Sequence, residues 1–131
     1  MSSVKLTFQS RTDMLCDVRA SVREFLAGTP LSEEDSQLVV LALDEACTNI
    51  IRHAYGNACK TVRMEMQKMP GKIRFVLRDY GKSCDPGKIR GRSLEEIRPG
   101  GLGVHIIRQA FDRVVYEPCS RGTRLTMERA I

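Results

Sequence analysis

A chain of 131 residues is the length of one folding unit, and residues 1–131 are expected to form a single domain. Hydrophobic residues make up 42% and charged residues 28%, which excludes a disordered chain, and no apolar run is long enough to span a membrane. The net charge of +5 comes from dispersed Lys and Arg with only 5% aromatics, a pattern that argues against nucleic-acid binding and for a solvated basic surface, an anionic ligand or an acidic partner.

The start, Met1 to Leu6, lacks the apolar core of a secretory signal. The cysteines at 16, 47, 59, 84 and 119 are odd in number and contain no Cys-x-x-Cys pair. That argues against a disulfide framework or zinc site and for reduced thiols in the cytoplasm.

Val4, Leu6 and Phe8 alternate with polar residues and predict a strand. Leu15, Val18, Val22, Phe25 and Leu26 follow at helical spacing, and Gly28-Thr29-Pro30 ends that helix. Ser32 is placed to cap a second helix, with Glu33, Glu34 and Asp35 at the positive end of its dipole. From Leu38 to Ile51 apolar residues cover most of the circumference, as in a helix central to its domain, and Tyr55-Gly56-Asn57 ends it.

Val62, Met64 and Met66, then Ile73, Phe75 and Leu77, alternate on either side of Pro70-Gly71 and predict a hairpin. Residues 80–102 read as a long functional loop with one helical turn near Ser93–Ile97. Val104, Ile106, Ile107, Ala110 and Phe111 predict a third helix. Val114–Tyr116 and Leu125–Met127 predict a last hairpin around Ser120-Arg121-Gly122. The order β-α-α-β-β-loop-α-β-β implies an α+β fold, with a mixed, mainly antiparallel sheet and helices on one face.

Polar residues interrupt this pattern in three places. Glu45 and Asn49 are four apart within the apolar second helix and therefore share a face. A carboxylate there is expensive unless it has a partner or a task. Asp79 ends a strand and precedes Tyr80 and Gly81; such a carboxylate accepts from an exocyclic amine like that of adenine, or makes an Asx-turn. Gly100, Gly101 and Gly103 open the third helix, either as a simple turn or as a cradle where main-chain N–H groups meet a phosphate.

Familiar nucleotide motifs fail. Gly81-Lys82-Ser83 lacks the P-loop's first glycine, whose position is Val76. Gly101-x-Gly103 lacks the third dinucleotide-fold glycine, whose position is Ile106. His53 either caps its helix or approaches a phosphate, His105 reads as structural or exposed, and Cys47 and Cys59 read as small packing residues rather than nucleophiles.

Taken in order, Glu45-x-x-x-Asn49, Asp79-x-Gly81, Gly101-x-Gly103 and Gly122-Thr123 resemble the N box, G1 box, G2 box and terminal Gly-Thr of the GHKL ATPases. The phrases from Glu45 to Gly56 and from Gly101 to Arg108 are most similar to one branch, the anti-sigma-factor serine/threonine kinases of bacterial partner switching. The resemblance implies a two-layer α/β sandwich holding ATP between helices and sheet. It implies that Asn49 coordinates Mg²⁺, that Glu45 is the general base, and that Asp79 binds the adenine amino group beside Gly81. Gly101 and Gly103 would flank the phosphates, and Thr123 would support the adenine side through Asp79 or water. The lid, roughly Gly87 to Gly100, carries Arg90, Arg92 and Arg98, none of which is singled out.

The implied activity is phosphorylation of a STAS-domain anti-anti-sigma protein, with a sigma factor as a second partner and homodimerisation through a sheet edge or the first strand. An ATP-binding partner-switch module with weak or no kinase activity, acting on a secretion or signalling target, is the alternative. A detached histidine-kinase catalytic domain is disfavoured by the short lid.

Overall fold

The computed structural model describes residues 2–54, 59–81 and 99–131. Strand β1 (Ser2–Gln9) leads through a short 3₁₀ turn (Thr12–Met14) into α1 (Leu15–Ala27) and α2 (Glu33–Asn49). A π-helical turn (Ile50–Ala54) follows, then β2 (Thr61–Met69), β3 (Lys72–Arg78), α3 (Pro99–Ala110), β4 (Arg113–Pro118) and β5 (Thr123–Ala130).

The helix signals act as expected. Leu15, Val18, Val22 and Leu26 form the buried stripe of α1, and the Gly28 N–H closes its end on the Phe25 carbonyl. The Ser32 hydroxyl accepts the Asp35 N–H at 3.1 Å, satisfying one orphan donor of α2. Helix α2 buries Val39, Val40, Ala42, Leu43, Ala46 and Cys47, but Leu41 is 48% exposed, so its apolar surface is a broad face rather than a full circumference. The helix ends at Asn49 and widens into the π turn. Tyr55-Gly56-Asn57 and the expected turn near Ser93–Ile97 lie outside the described residues.

The sheet order is β1-β2-β3-β5-β4, and all four ladders are antiparallel, in keeping with the mainly antiparallel sheet expected. The two hairpins enforce this locally, and the long connections around them return each strand in the opposite sense. Gly71 supplies the positive φ of 76° between β2 and β3. The last hairpin enters from the far edge, so β5, the last strand in sequence, lies beside β3 inside the sheet.

One face of the sheet presents Val62, Met64, Met66, Ile73, Phe75, Leu77, Leu125 and Met127 to the helices. The Phe75 ring meets Phe25 of α1 at 5.6 Å and Phe111 after α3 at 5.8 Å, both edge-on, and ties the two layers together. Away from the helices Glu128 is 7% exposed and accepts from Arg74 at 2.6 Å, with Lys72 at 3.4 Å. Arg74, then Lys72, hold its carboxyl below the usual range against the opposing effect of burial.

Candidate functional site

Asp79 follows the inward alternation of Phe75 and Leu77, so its carboxylate enters the helix-facing layer just past the end of β3. It is 3% exposed. Its Oδ1 accepts the Gly81 N–H at 3.1 Å, the Asx-turn that the sequence allows. Its own N–H donates to the Thr123 carbonyl at 3.1 Å, which extends the β3–β5 ladder by one step. Burial pushes the Asp79 carboxyl above the ordinary aspartate range, and the main-chain N–H groups of Gly81 and Thr123, with the Arg78 charge, partly offset that push. Thr123 is also 3% exposed. The sheet therefore brings Asp79, Gly81 and Thr123 together, although they lie over forty residues apart in sequence.

Gly122, which the sequence motif pairs with Thr123 without giving it a role of its own, joins this group through its backbone. Read as a hairpin glycine, it has a φ of 77°, and a Cβ there would meet the Asp79 carbonyl oxygen at 2.1 Å and Oδ1 at 2.7 Å. The glycine is needed both for the left-handed backbone and for the contact with Asp79. The only sequence signal was its place directly before Thr123.

On α2, Glu45 and Asn49 are both half-buried. Neither side chain hydrogen-bonds to a described residue. The neighbouring carboxylate is engaged: Asp44 accepts from Arg19 of α1 at 2.7 Å. The Thr48 hydroxyl donates back to the Asp44 carbonyl at 2.8 Å. Among the described residues, Glu45 and Asn49 are thus the polar pair on this stretch of helix whose side chains no other group engages. Helix α2 packs against α3.

Gly100, Gly101 and Gly103 do not precede α3 as a turn. The helix starts at Pro99, and the three glycines lie in its first turns. Their main-chain N–H groups thus belong to the end of a helix that carries partial positive charge. The lid arginines Arg90, Arg92 and Arg98 lie outside the described residues.

Burial raises the Cys47 thiol to about 12, which leaves it inert at neutral pH. Cys59, expected in packing, is exposed, and its thiol faces Gln9 Oε1 at 3.7 Å. His105 is half-buried on α3, whereas the His53 side chain lies outside the description. Among the described residues no three His, Cys, Asp or Glu side chains gather as a metal cage, and no helix is long and apolar enough to cross a membrane.

The chain is similar to several known proteins. A serine-protein kinase RsbW of Halalkalibacterium halodurans is 22% identical over 120 residues, covering 86% of this chain and 74% of that protein. The serine-protein kinase RsbW of Staphylococcus aureus is 29% identical over 109 residues, covering 75% and 67%. The crystal structure of the RsbU and RsbW domains of a Mycobacterium tuberculosis protein superimposes with a TM-score of 0.71 at 16% identity. That match takes in 99% of this chain and 32% of the larger one, and it shows a shared fold. The family model described as the histidine kinase-like ATPase domain matches residues 8–129. Spanning nearly the whole chain and enclosing Glu45, Asn49, Asp79, the α3 glycines and Thr123, that match establishes that the chain belongs to the histidine kinase-like ATPase domain family.

Proposed function

We propose that this protein is a cytoplasmic anti-sigma factor and serine/threonine protein kinase that transfers the γ-phosphate of ATP to a STAS-domain antagonist. The observation that carries the reading is the buried Asp79 carboxylate, locked by Gly81, Gly122 and Thr123 at the end of a central strand. An acceptor held rigid and dry in this way suits the exocyclic amine of adenine. The similarity to serine-protein kinases supports the choice of acceptor group.

The donor set fits magnesium bound to a nucleotide. Without a protein cage among the described residues, the ion would take most of its ligands from phosphate and water oxygens, with the Asn49 carbonyl oxygen as its protein ligand. Bound there, magnesium would neutralise charge on the phosphates. Glu45 accepts the proton of the attacking hydroxyl, whose oxygen bonds to the γ-phosphorus as the bond to ADP breaks. The first turns of α3, with Gly101 and Gly103, offer main-chain N–H groups to the phosphates. Thr123 holds Asp79 through the main chain. Unphosphorylated antagonist would then sequester the kinase, and phosphorylation would free it to hold its sigma factor.

Asn49→Ala is expected to weaken magnesium-dependent ATP affinity about tenfold, equivalent to losing one charge-assisted contact. Calorimetry with and without magnesium checks this, and an unchanged magnesium increment would remove Asn49 from the metal site.

The raised Asp79 pKa gives a second test, with opposite signs for stability and binding. Between the ordinary aspartate range and its raised value, the folded carboxyl holds a proton that the unfolded chain has lost. Acidification through that window therefore favours the folded apo-protein. ATP affinity falls over the same window, because the ionised acceptor is the stronger partner of the adenine amine. Asp79→Asn should bind weakly and lose this acid limb; an identical pH profile would separate Asp79 from adenine.

The decisive experiment is transfer from γ-labelled ATP to a STAS-domain protein encoded beside this gene. Label on a serine or threonine supports the reading. ATP binding without label would leave a nucleotide-gated partner switch instead.

A further inference from the structure

Strand alternation sends every second residue of the sheet away from the helices, and that outward face is strongly basic. Arg63, Arg78 and Arg124 stand directly opposite one another on β2, β3 and β5. Strand spacing places three guanidinium groups side by side across about 10 Å. Arg63 and Arg124 are exposed and Arg78 is half-buried. Glu117 of β4 stands next in register beyond Arg124, but among the described residues no carboxylate comes within ion-pair distance of any of the three. Tyr80 lies over Arg78 at 4.3 Å and near Arg63 at 5.7 Å, which holds the row in place.

Like charges directly opposite in a sheet destabilise it, so this row is a cost to the fold that needs a reason. The other end of the face offers no compensation. Glu128 is already shared by Lys72, Arg74 and Arg113. Between the two basic rows run Val76, Thr126 and Val115, adjacent in register and half-buried.

We infer that this outward sheet face docks an acidic protein partner, whose carboxylates seat on the Arg63–Arg78–Arg124 row and whose apolar side chains cover Val76 and Val115. An apolar strip with an arginine rim is the anatomy of a protein interface. A phosphate polymer would have no use for the valines, and the face lacks open aromatic platforms for bases. A second copy fits poorly, because a two-fold contact would press one basic row against another. The row touches the candidate site only at Arg78, which donates to the Asp79 carbonyl, so the test below varies Arg63, Arg124 and Val115 and leaves Arg78 in place.

The test titrates the ¹⁵N-labelled full chain with an amphipathic helical peptide that carries glutamates on both flanks of a leucine stripe. A single-stranded oligonucleotide of equal negative charge runs in parallel. Peptide-induced amide shifts should map to the outward positions of β2, β3 and β5. The double variant R63E/R124E should weaken the peptide about tenfold or more. Val115→Ser should weaken the peptide and leave the oligonucleotide unaffected. Both variants should keep the parent's ATP affinity, which verifies their fold. Absent or non-saturable peptide binding, or shifts on the helical layer, would overturn the inference. So would a peptide indifferent to Val115→Ser, which marks a general anion surface. A dimer in sedimentation equilibrium that R63E/R124E dissociates would assign the face to a second copy.

Discussion

Glu45→Gln is expected to slow phosphate transfer by a factor of about 10²–10⁴, the usual contribution of a positioned base, while ATP affinity stays close to the parent's. The substitution keeps the shape of the side chain and removes only its ability to take a proton. Glu45 is half-buried and hydrogen-bonds to no described residue, so folding should not depend on its charge. Its neighbour Asp44 provides the control. Asp44 is tied to Arg19, so Asp44→Asn should act on the α1–α2 contact and spare the chemistry. Single-turnover transfer with saturating nucleotide separates the two cases. Normal transfer by the Gln variant would remove Glu45 as base and leave the transfer step to another group.

The second large effect is expected at a residue with no side chain. Gly122→Ala should cost about 2–4 kcal/mol of stability, combining the strain of a left-handed alanine with an overlap onto main chain that has little room to move. The added methyl would sit 2.1 Å from the Asp79 carbonyl oxygen. Asp79 must shift, so the folded fraction should also lose ATP affinity at least as severely as Asp79→Asn does. Gly71→Ala is the comparison. That glycine has nearly the same φ, 76°, but an added Cβ there meets nothing within 4 Å. Gly71→Ala should show the backbone strain alone, about 1 kcal/mol, with nucleotide affinity intact. Thermal melts and calorimetry on both variants make the test. Equal ATP affinity in the two would show that the Gly122–Asp79 contact does not shape the pocket.

Local rules made most of the fold legible. The alternation of Val62, Met64 and Met66 and the acids behind Ser32 each act within a few residues, and each produced the element expected. Global sheet order lies beyond that reach. Nothing near Leu125 in sequence says that β5 pairs with β3, because the pairing depends on which edges remain open after the first hairpin forms. The start of α3 was misjudged for a different reason. Three glycines are poor helix formers, but Pro99 at the first position and packing against α2 outweigh that propensity.

The candidate site was legible where polar residues stood out against apolar surroundings, as Glu45, Asn49 and Asp79 do. At Gly122 the motif marked the residue but not its reason, which is a distance to a carbonyl remote in sequence. The arginine row escaped for the same reason. Arg63, Arg78 and Arg124 look like dispersed charge until strand register lines them up.

The position of β5 also bears on how the molecule comes into being on the ribosome. Synthesis releases β3 long before residues 123–130 exist to pair with it. Until then the growing chain carries β3 as a bare edge, with Ile73, Phe75 and Leu77 ready to template pairing with other chains. The closing step is a long-range strand insertion, the slow kind of folding event. Because Gly122 and Thr123 arrive with that strand, nascent and prematurely terminated chains lack the contacts that fix Asp79. Under the proposed function, nucleotide binding would thereby report that translation has passed residue 123 and that the sheet has closed.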